Sequence, residues 1–254
     1  MKIKTIALNT LKEAIRDRVL YLLFFFAAVS LVSSRLLALL TVGDRVKIIK
    51  DVGLASISIF GMLMAILIGT GLVYKEIDKK TIFTLLSKPI QRWQFLVGKF
   101  FGLVLTLFIL TALMSLIFLV ILFLHTFHVE GRLLLAILFI FIELVLITAV
   151  AILFSCFSTP ILSSIFALSF YVIGHFSWGL EPLIRRARPG AARTALQVLS
   201  TLLPDLENFN FKTEVVHGLT VEPKYYLFSA LYGLAYTLFV LVLAVLVFKK
   251  RDFV

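Results

Sequence analysis

Long apolar runs broken by short basic stretches organise this chain. The runs extend from Val19 to Leu40, Gly53 to Tyr74, Gly98 to Leu124, Leu133 to Cys156, Pro160 to Trp178 and Tyr226 to Phe248. A bilayer core about 30 Å thick takes roughly 20 apolar helical residues per crossing, so each run reads as one transmembrane helix. The fourth and fifth runs are joined by only a tight connection. Ahead of the first run, Ile3, Ile6, Ala7, Leu8, Leu11, Ala14 and Ile15 oppose Lys2, Lys4, Lys12, Glu13, Arg16 and Asp17 with helical spacing. That pattern predicts an amphipathic helix lying on a membrane surface and meeting the first crossing at an elbow. A plain basic leader that sets topology is the competing reading. A cleaved signal peptide is not expected, because the apolar stretch continues through Leu36, Leu37, Leu39 and Leu40. The predicted fold is all-α, a bundle of six transmembrane helices forming a single domain over residues 1–254. No internal repeat or low-complexity tract interrupts it.

Composition turns the pattern into a solvent argument. Of the 254 residues, 61% are hydrophobic and 15% charged, with a mean hydropathy of +1.08, whereas soluble domains are near half apolar and about a quarter charged. Too few polar residues remain to wrap such a core in water, so lipid must solvate the outward faces. The net charge of +11 sits in short segments beside apolar runs instead of along one surface, which argues topology and not nucleic acid. Basic residues in short loops resist translocation. With a cytoplasmic N-terminus, the inside receives Lys2, Lys4, Lys12, Arg16 and Arg18, then Lys75, Lys79, Lys80, Lys88, Arg92 and Lys99, and finally Lys249, Lys250 and Arg251. Both termini are therefore expected in the cytoplasm, with the protein in the cytoplasmic (inner) membrane.

Several polar residues stand out against this background. The loop from Tyr74 to Gly98 is charged at both ends yet carries Ile82, Phe83, Leu85 and Leu86. A short helix from about Lys80 to Leu86, stopped by Pro89, would offer an apolar face either to a cytoplasmic partner or to neighbouring helix ends. Glu143 falls mid-run between Phe139, Phe141, Leu144 and Leu146, where an ionised carboxylate costs at least a few kcal/mol. It must face protein or water, as a cavity-lining or proton-linked group or as a neutral carboxyl bonded to a neighbouring helix. Arg35 sits near a helix end and can snorkel. His125, His128 and Glu130 have a spacing that could set two imidazoles on one helix face, but it is weak evidence for a metal, and no metal site is assigned. Gly98 and Gly102 form a GxxxG pair suited to close helix packing. The single cysteine, Cys156, excludes an intrachain disulfide and reads as a small packing residue.

The Tyr74–Gly98 loop, with its glutamate, KKT, paired leucines, SKPI, arginine and GK, resembles the permease of type-two (exporter class) ABC transporters. The similarity extends over the whole chain through the elbow, the crossings and the basic end Lys249-Lys250-Arg251-Asp252-Phe253. The resemblance implies that the loop is a coupling helix docking on an ATPase, with Glu76, Lys80, Thr81, Phe83, Leu85, Leu86, Lys88, Pro89 and Arg92 as contact residues. It also implies two copies of a separate ABC ATPase, a second permease copy or paralogue, and ATP with Mg held by the ATPase and not by this chain. Short re-entrant or outer helices are expected before the last crossing, where this chain is longer and more basic, with Arg185, Arg186, Arg188 and Arg193 ahead of the apolar stretch Ala195 to Leu203. The chain itself carries no GxxxxGK[ST] phosphate loop, HExxH or GxSxG, so neither an ATPase nor an intramembrane hydrolase is expected. A complex that uses the same ATP-driven motion for signalling, cofactor maturation or an envelope machine is the alternative to export.

Overall fold

The computed structural model describes residues 2–39, 44–78, 91–128, 130–177 and 203–250, with residues 184, 190, 193, 194 and 197 between the last two segments. The described residues contain helices and no strand: α1 (Lys2–Ile15), α2 (Arg18–Leu39), α3 (Arg45–Asp78), α4 (Arg92–Thr126), α5 (Gly131–Ser155), α6 (Pro160–His175), a 3-10 turn at Leu206–Phe209, α7 (Lys212–His217) and α8 (Pro223–Lys250). Helices α2, α3, α4, α5 and α8 are long and apolar enough to cross a bilayer, which makes the chain a multi-pass membrane protein. The run beginning at Pro160 yields a helix of 16 residues.

Helix ends follow local chemistry. α6 opens on Pro160, whose missing N–H is no loss in a first turn, and the Thr159 carbonyl accepts from the Ser163 N–H at 2.8 Å. α4 starts after Gln91, whose N–H donates to Gln94 Oε1 at 3.3 Å. It stops at Phe127, which adopts a left-handed conformation (φ 53°) and returns its N–H to the Phe123 carbonyl at 2.8 Å. Hydroxyls inside the spans satisfy themselves on their own helices, as Thr106 does on Gly102 O (2.8 Å) and Thr148 on Leu144 O (2.7 Å).

Burial separates inner from outer helices. In the apolar windows of α3 and α5, 67% and 61% of residues are buried, against 22% in α2 and 28% in α8. α3 and α5 form the centre, and α2 and α8 face outward with Phe25, Phe26, Val32, Phe228 and Leu238 exposed, as lipid contact requires. Polar ties join neighbours: Ser30 to Ser56 (2.8 Å) between α2 and α3, and Thr70 to Ser164 (2.9 Å) between α3 and α6. Lys50 Nζ donates to Glu130 Oε1 at 2.7 Å, placing the starts of α3 and α5 at one end of the bundle. At the opposite end, an Arg92 guanidinium nitrogen donates to the Lys249 carbonyl at 3.0 Å.

α1 packs on α4 through the GxxxG pair. A Cβ added at Gly98 would lie 2.8 Å from Ile6 Cβ, and one at Gly102 would lie 2.5 Å from Thr10 Cβ and 2.6 Å from the Ala7 carbonyl. Such proximity exists only because both positions lack side chains. The buried face of α1 therefore carries Thr10 and Ala14, while Leu8 and Ile15 remain about two-fifths exposed. Lys99, between the two glycines, is 1% exposed and donates to Glu13 Oε2 at 3.0 Å, so the seam combines close backbone approach with a partly sheltered ion pair.

Candidate functional site

Two regions carry the functional expectations. The first is the loop between α3 and α4. Lys80, Thr81, Phe83, Leu85, Leu86, Lys88 and Pro89 lie outside the described residues. Glu76 belongs to the last turn of α3, and Arg92 opens α4. Beside Arg92, Trp93 Nε1 donates to Gln91 Oε1. α3 thus ends, and α4 begins, at the end of the bundle where Arg92 holds the last turn of α8 and Lys99 holds α1. The stretch Ala195 to Leu203 and the arginines 185, 186 and 188 fall almost wholly outside the described residues, with the Arg193 backbone in a helical turn.

The second region surrounds Glu143 of α5, which is 1% exposed. Its Oε1 lies 3.4 Å from His175 Nε2 at the end of α6, yet neither carboxylate oxygen nor Nε2 has a hydrogen-bond partner among the described residues. The His175 ring stacks on Tyr171 one turn earlier, with centroids 4.4 Å apart, and Nδ1 faces the Tyr171 carbonyl at 3.3 Å. The Tyr171 hydroxyl reaches Ser58 of α3 at 3.4 Å, and Lys212 Nζ donates to the same Ser58 Oγ at 2.9 Å. Burial pulls the Lys212 ammonium below its usual range, and the negative charges of Glu143 and Glu207 oppose that pull. The region is a polar chain, Glu143, His175, Tyr171, Ser58 and Lys212, enclosed by three helices and one short segment.

That segment, residues 204–217, is inserted into the bundle. Leu206, Phe209, Phe211 and Val215 are at most 2% exposed. Phe211 packs on Phe139 and Tyr226, with centroids 4.5 and 4.7 Å away, and Leu206 occupies space that a Cβ on Gly174 would enter at 2.6 Å. Asp205 anchors the segment: its carboxylate accepts from Ser177 Oγ (2.6 Å) and the Glu207 N–H (3.1 Å), and its own N–H donates to the Tyr232 hydroxyl at 3.0 Å. Arg132 donates to the Gly218 carbonyl at 3.3 Å, at the same end as Lys50 and Glu130. The expected short helices before the last crossing are therefore represented here by elements packed into the core.

Sequence reasoning found Glu143 but not His175, Tyr171, Ser58 or Lys212, because they come from three other parts of the chain. The one available signal was Lys212, a lone cation directly after Phe209-Asn210-Phe211. His125, His128 and Glu130 do not assemble: α4 ends at Thr126, the left-handed Phe127 turns His128 off the helix, and Glu130 pairs with Lys50. No group of three or more potential metal ligands occurs among the described residues. Cys156 is buried. Arg35 is exposed on α2. A cavity of about 500 Å³ lies between α2, α3 and α6, lined by Val19, Leu67, Ile161 and Ile165 with Asp17, Thr70 and Ser164 as its polar members.

Comparison with individually curated proteins gives no match. The family model described as ABC-2 family transporter protein matches residues 4–253, so the buried helix pair, the lipid-facing outer helices and the loop between α3 and α4 belong to a member of that family, an ABC transporter permease.

Proposed function

We propose that this permease couples ATP hydrolysis by a separate ATPase subunit to export of a substrate across the cytoplasmic membrane. The observation that supports the reading is that α3 ends and α4 begins at the same end of the bundle. The sequence between them supplies Phe83, Leu85 and Leu86 between charged flanks. Glu76, Lys80, Thr81, Lys88, Pro89 and Arg92 complete the ATPase contact, and that end is cytoplasmic together with both termini. α1 is the elbow helix, with its exposed Leu8 and Ile15 in the membrane surface, and α6 completes a set of six spans. The working assembly contains two ATPase copies, which hold ATP and Mg, and a second permease copy or a paralogue. This chain performs no catalysis of its own. Asp17 and the hydroxyls of Thr70 and Ser164 give a mostly apolar cavity its polar groups on the substrate's route.

The test is co-purification. Leu85→Asp with Leu86→Asp places two charges in the proposed contact and should release the ATPase while the permease stays inserted. Retention of the ATPase at the unmutated level would remove the coupling assignment. Cysteines at Lys88 and Lys249 should react only from the cytoplasm and one at Asn208 only from outside; labelling of Lys88 and Asn208 from one side would remove the topology.

A further inference from the structure

The Glu143–His175 pair poses a hydrogen-counting problem that one additional proton solves. Nδ1 of His175 faces a carbonyl oxygen at 3.3 Å, and Nε2 faces a carboxylate oxygen at 3.4 Å. A neutral imidazole has one donor and one acceptor nitrogen. With Glu143 ionised, either tautomer aims a nitrogen lone pair at an oxygen lone pair, inside a site whose polar atoms are cut off from water. A further proton removes the conflict in either of two placements. The imidazolium donates to both oxygens, or a protonated Glu143 donates to Nε2 while Nδ1–H donates to the Tyr171 carbonyl.

The enclosure depends on the inserted segment. Leu206 seats against Gly174 beside His175, Asp205 is bonded to Ser177 just beyond it, and Lys212 reaches Ser58. The charged groups around the pair do not act alike. Lys212 of α7 is a cation facing the pair, Glu207 of the 3-10 turn and Asp205 just before that turn are anions, and the Tyr171 hydroxyl of α6 is a neutral group within reach of the Glu143 carboxylate. If the segment lifted out, water would solvate both groups and the lone-pair conflict would vanish.

We propose that Glu143 and His175 form a proton-binding site that is complete only while residues 204–217 are seated, so that seating takes up one proton and withdrawal releases it. The sign follows from proton counts. In water, an imidazole loses its proton near pH 6.5 and a carboxyl near 4.3, so above about pH 6.5 the withdrawn state holds one proton fewer than the seated state. Raising the pH above that value favours withdrawal by up to about tenfold per pH unit, until the seated pair itself titrates. Below it both states are protonated and the dependence disappears. Glu143, midway along α5, and residues 204–217 lie away from the end where α3 finishes and α4 starts, so this site does not depend on the ATPase contact.

The experiment measures accessibility of the full-length permease in lipid nanodiscs, in a Cys156→Ala background. The reporter is Val216→Cys, at a position only 4% exposed, and the reference is Leu219→Cys, at one 56% exposed. Dividing the two thiol-labelling rates removes the intrinsic pH dependence of the thiol. The ratio should rise with pH above about 6.5, at up to about tenfold per unit, and should become flat in Glu143→Gln. A flat ratio in the background protein, or an undiminished slope in Glu143→Gln, overturns the proposal. Infrared difference spectra of the unmutated protein over the same range give a check that needs no variant to fold: one carboxyl or imidazolium group should titrate in step with the labelling ratio, and absence of such a signal overturns the proposal as well.

Discussion

Adding one methyl group at Gly102 should weaken this protein, while adding the same methyl at Gly71 should not. At Gly102 the new Cβ would stand 2.5 Å from Thr10 Cβ and 2.6 Å from the Ala7 carbonyl, against ordinary carbon contacts of about 3.5–4.0 Å. Thr10 is fully buried and the carbonyl is part of the α1 backbone, so no side chain can swing away and α1 must retreat by roughly 1 Å. Overpacking of this kind costs about 1–3 kcal/mol, offset by up to about 1 kcal/mol because alanine suits a helix better than glycine. With the full offset, the net effect of Gly102→Ala is a loss of up to about 2 kcal/mol. Among the described residues nothing lies within 4 Å of a Cβ at Gly71, so Gly71→Ala should show only the propensity gain. Thermal unfolding of the two purified variants in one detergent reads the difference: a Tm lower by several degrees for Gly102→Ala, taking about 2–4 °C per kcal/mol for a chain of this size, and an unchanged or raised Tm for Gly71→Ala. Equal or greater stability of Gly102→Ala would refute the claim that backbone contact sets the α1–α4 distance.

Two further outcomes follow from burial. In the Lys50–Glu130 pair the lysine side chain is 8% exposed and the glutamate 53%, so Glu130→Gln strands a sheltered ammonium whereas Lys50→Met leaves a carboxylate that water can solvate. Chemical unfolding should show Glu130→Gln as the costlier change, by about 1 kcal/mol. Phe211→Ala removes the ring that joins Phe139 and Tyr226 and should cost about 3–5 kcal/mol; a loss under about 1 kcal/mol on the same measurement would mean that the inserted segment is not packed as described.

Much of the architecture is legible in the amino-acid sequence. Twenty apolar residues in a row have few options but to cross a bilayer as a helix, because lipid offers no partner to an unpaired backbone amide. The runs starting near Val19, Gly53, Gly98, Leu133 and Tyr226 each correspond to a long apolar helix. Gly98 and Gly102 announced close packing, though not that α1 is what packs there. Glu143 announced itself because a carboxylate among phenylalanines and leucines demands an explanation wherever it occurs.

Tertiary structure alone decided what surrounds that carboxylate. His175 ends one helix, Ser58 lies within another and Lys212 opens a six-residue helix, and no periodicity relates residues 58, 143, 175 and 212. Likewise, the 204–217 segment reads as a polar connection with scattered aromatics, and only the space between α3, α5 and α8 turns Phe209 and Phe211 into core. Chain-local patterns report which residues lipid will tolerate. Which of the tolerated and untolerated groups meet depends on how helices pack side by side, and that information is spread over the whole chain.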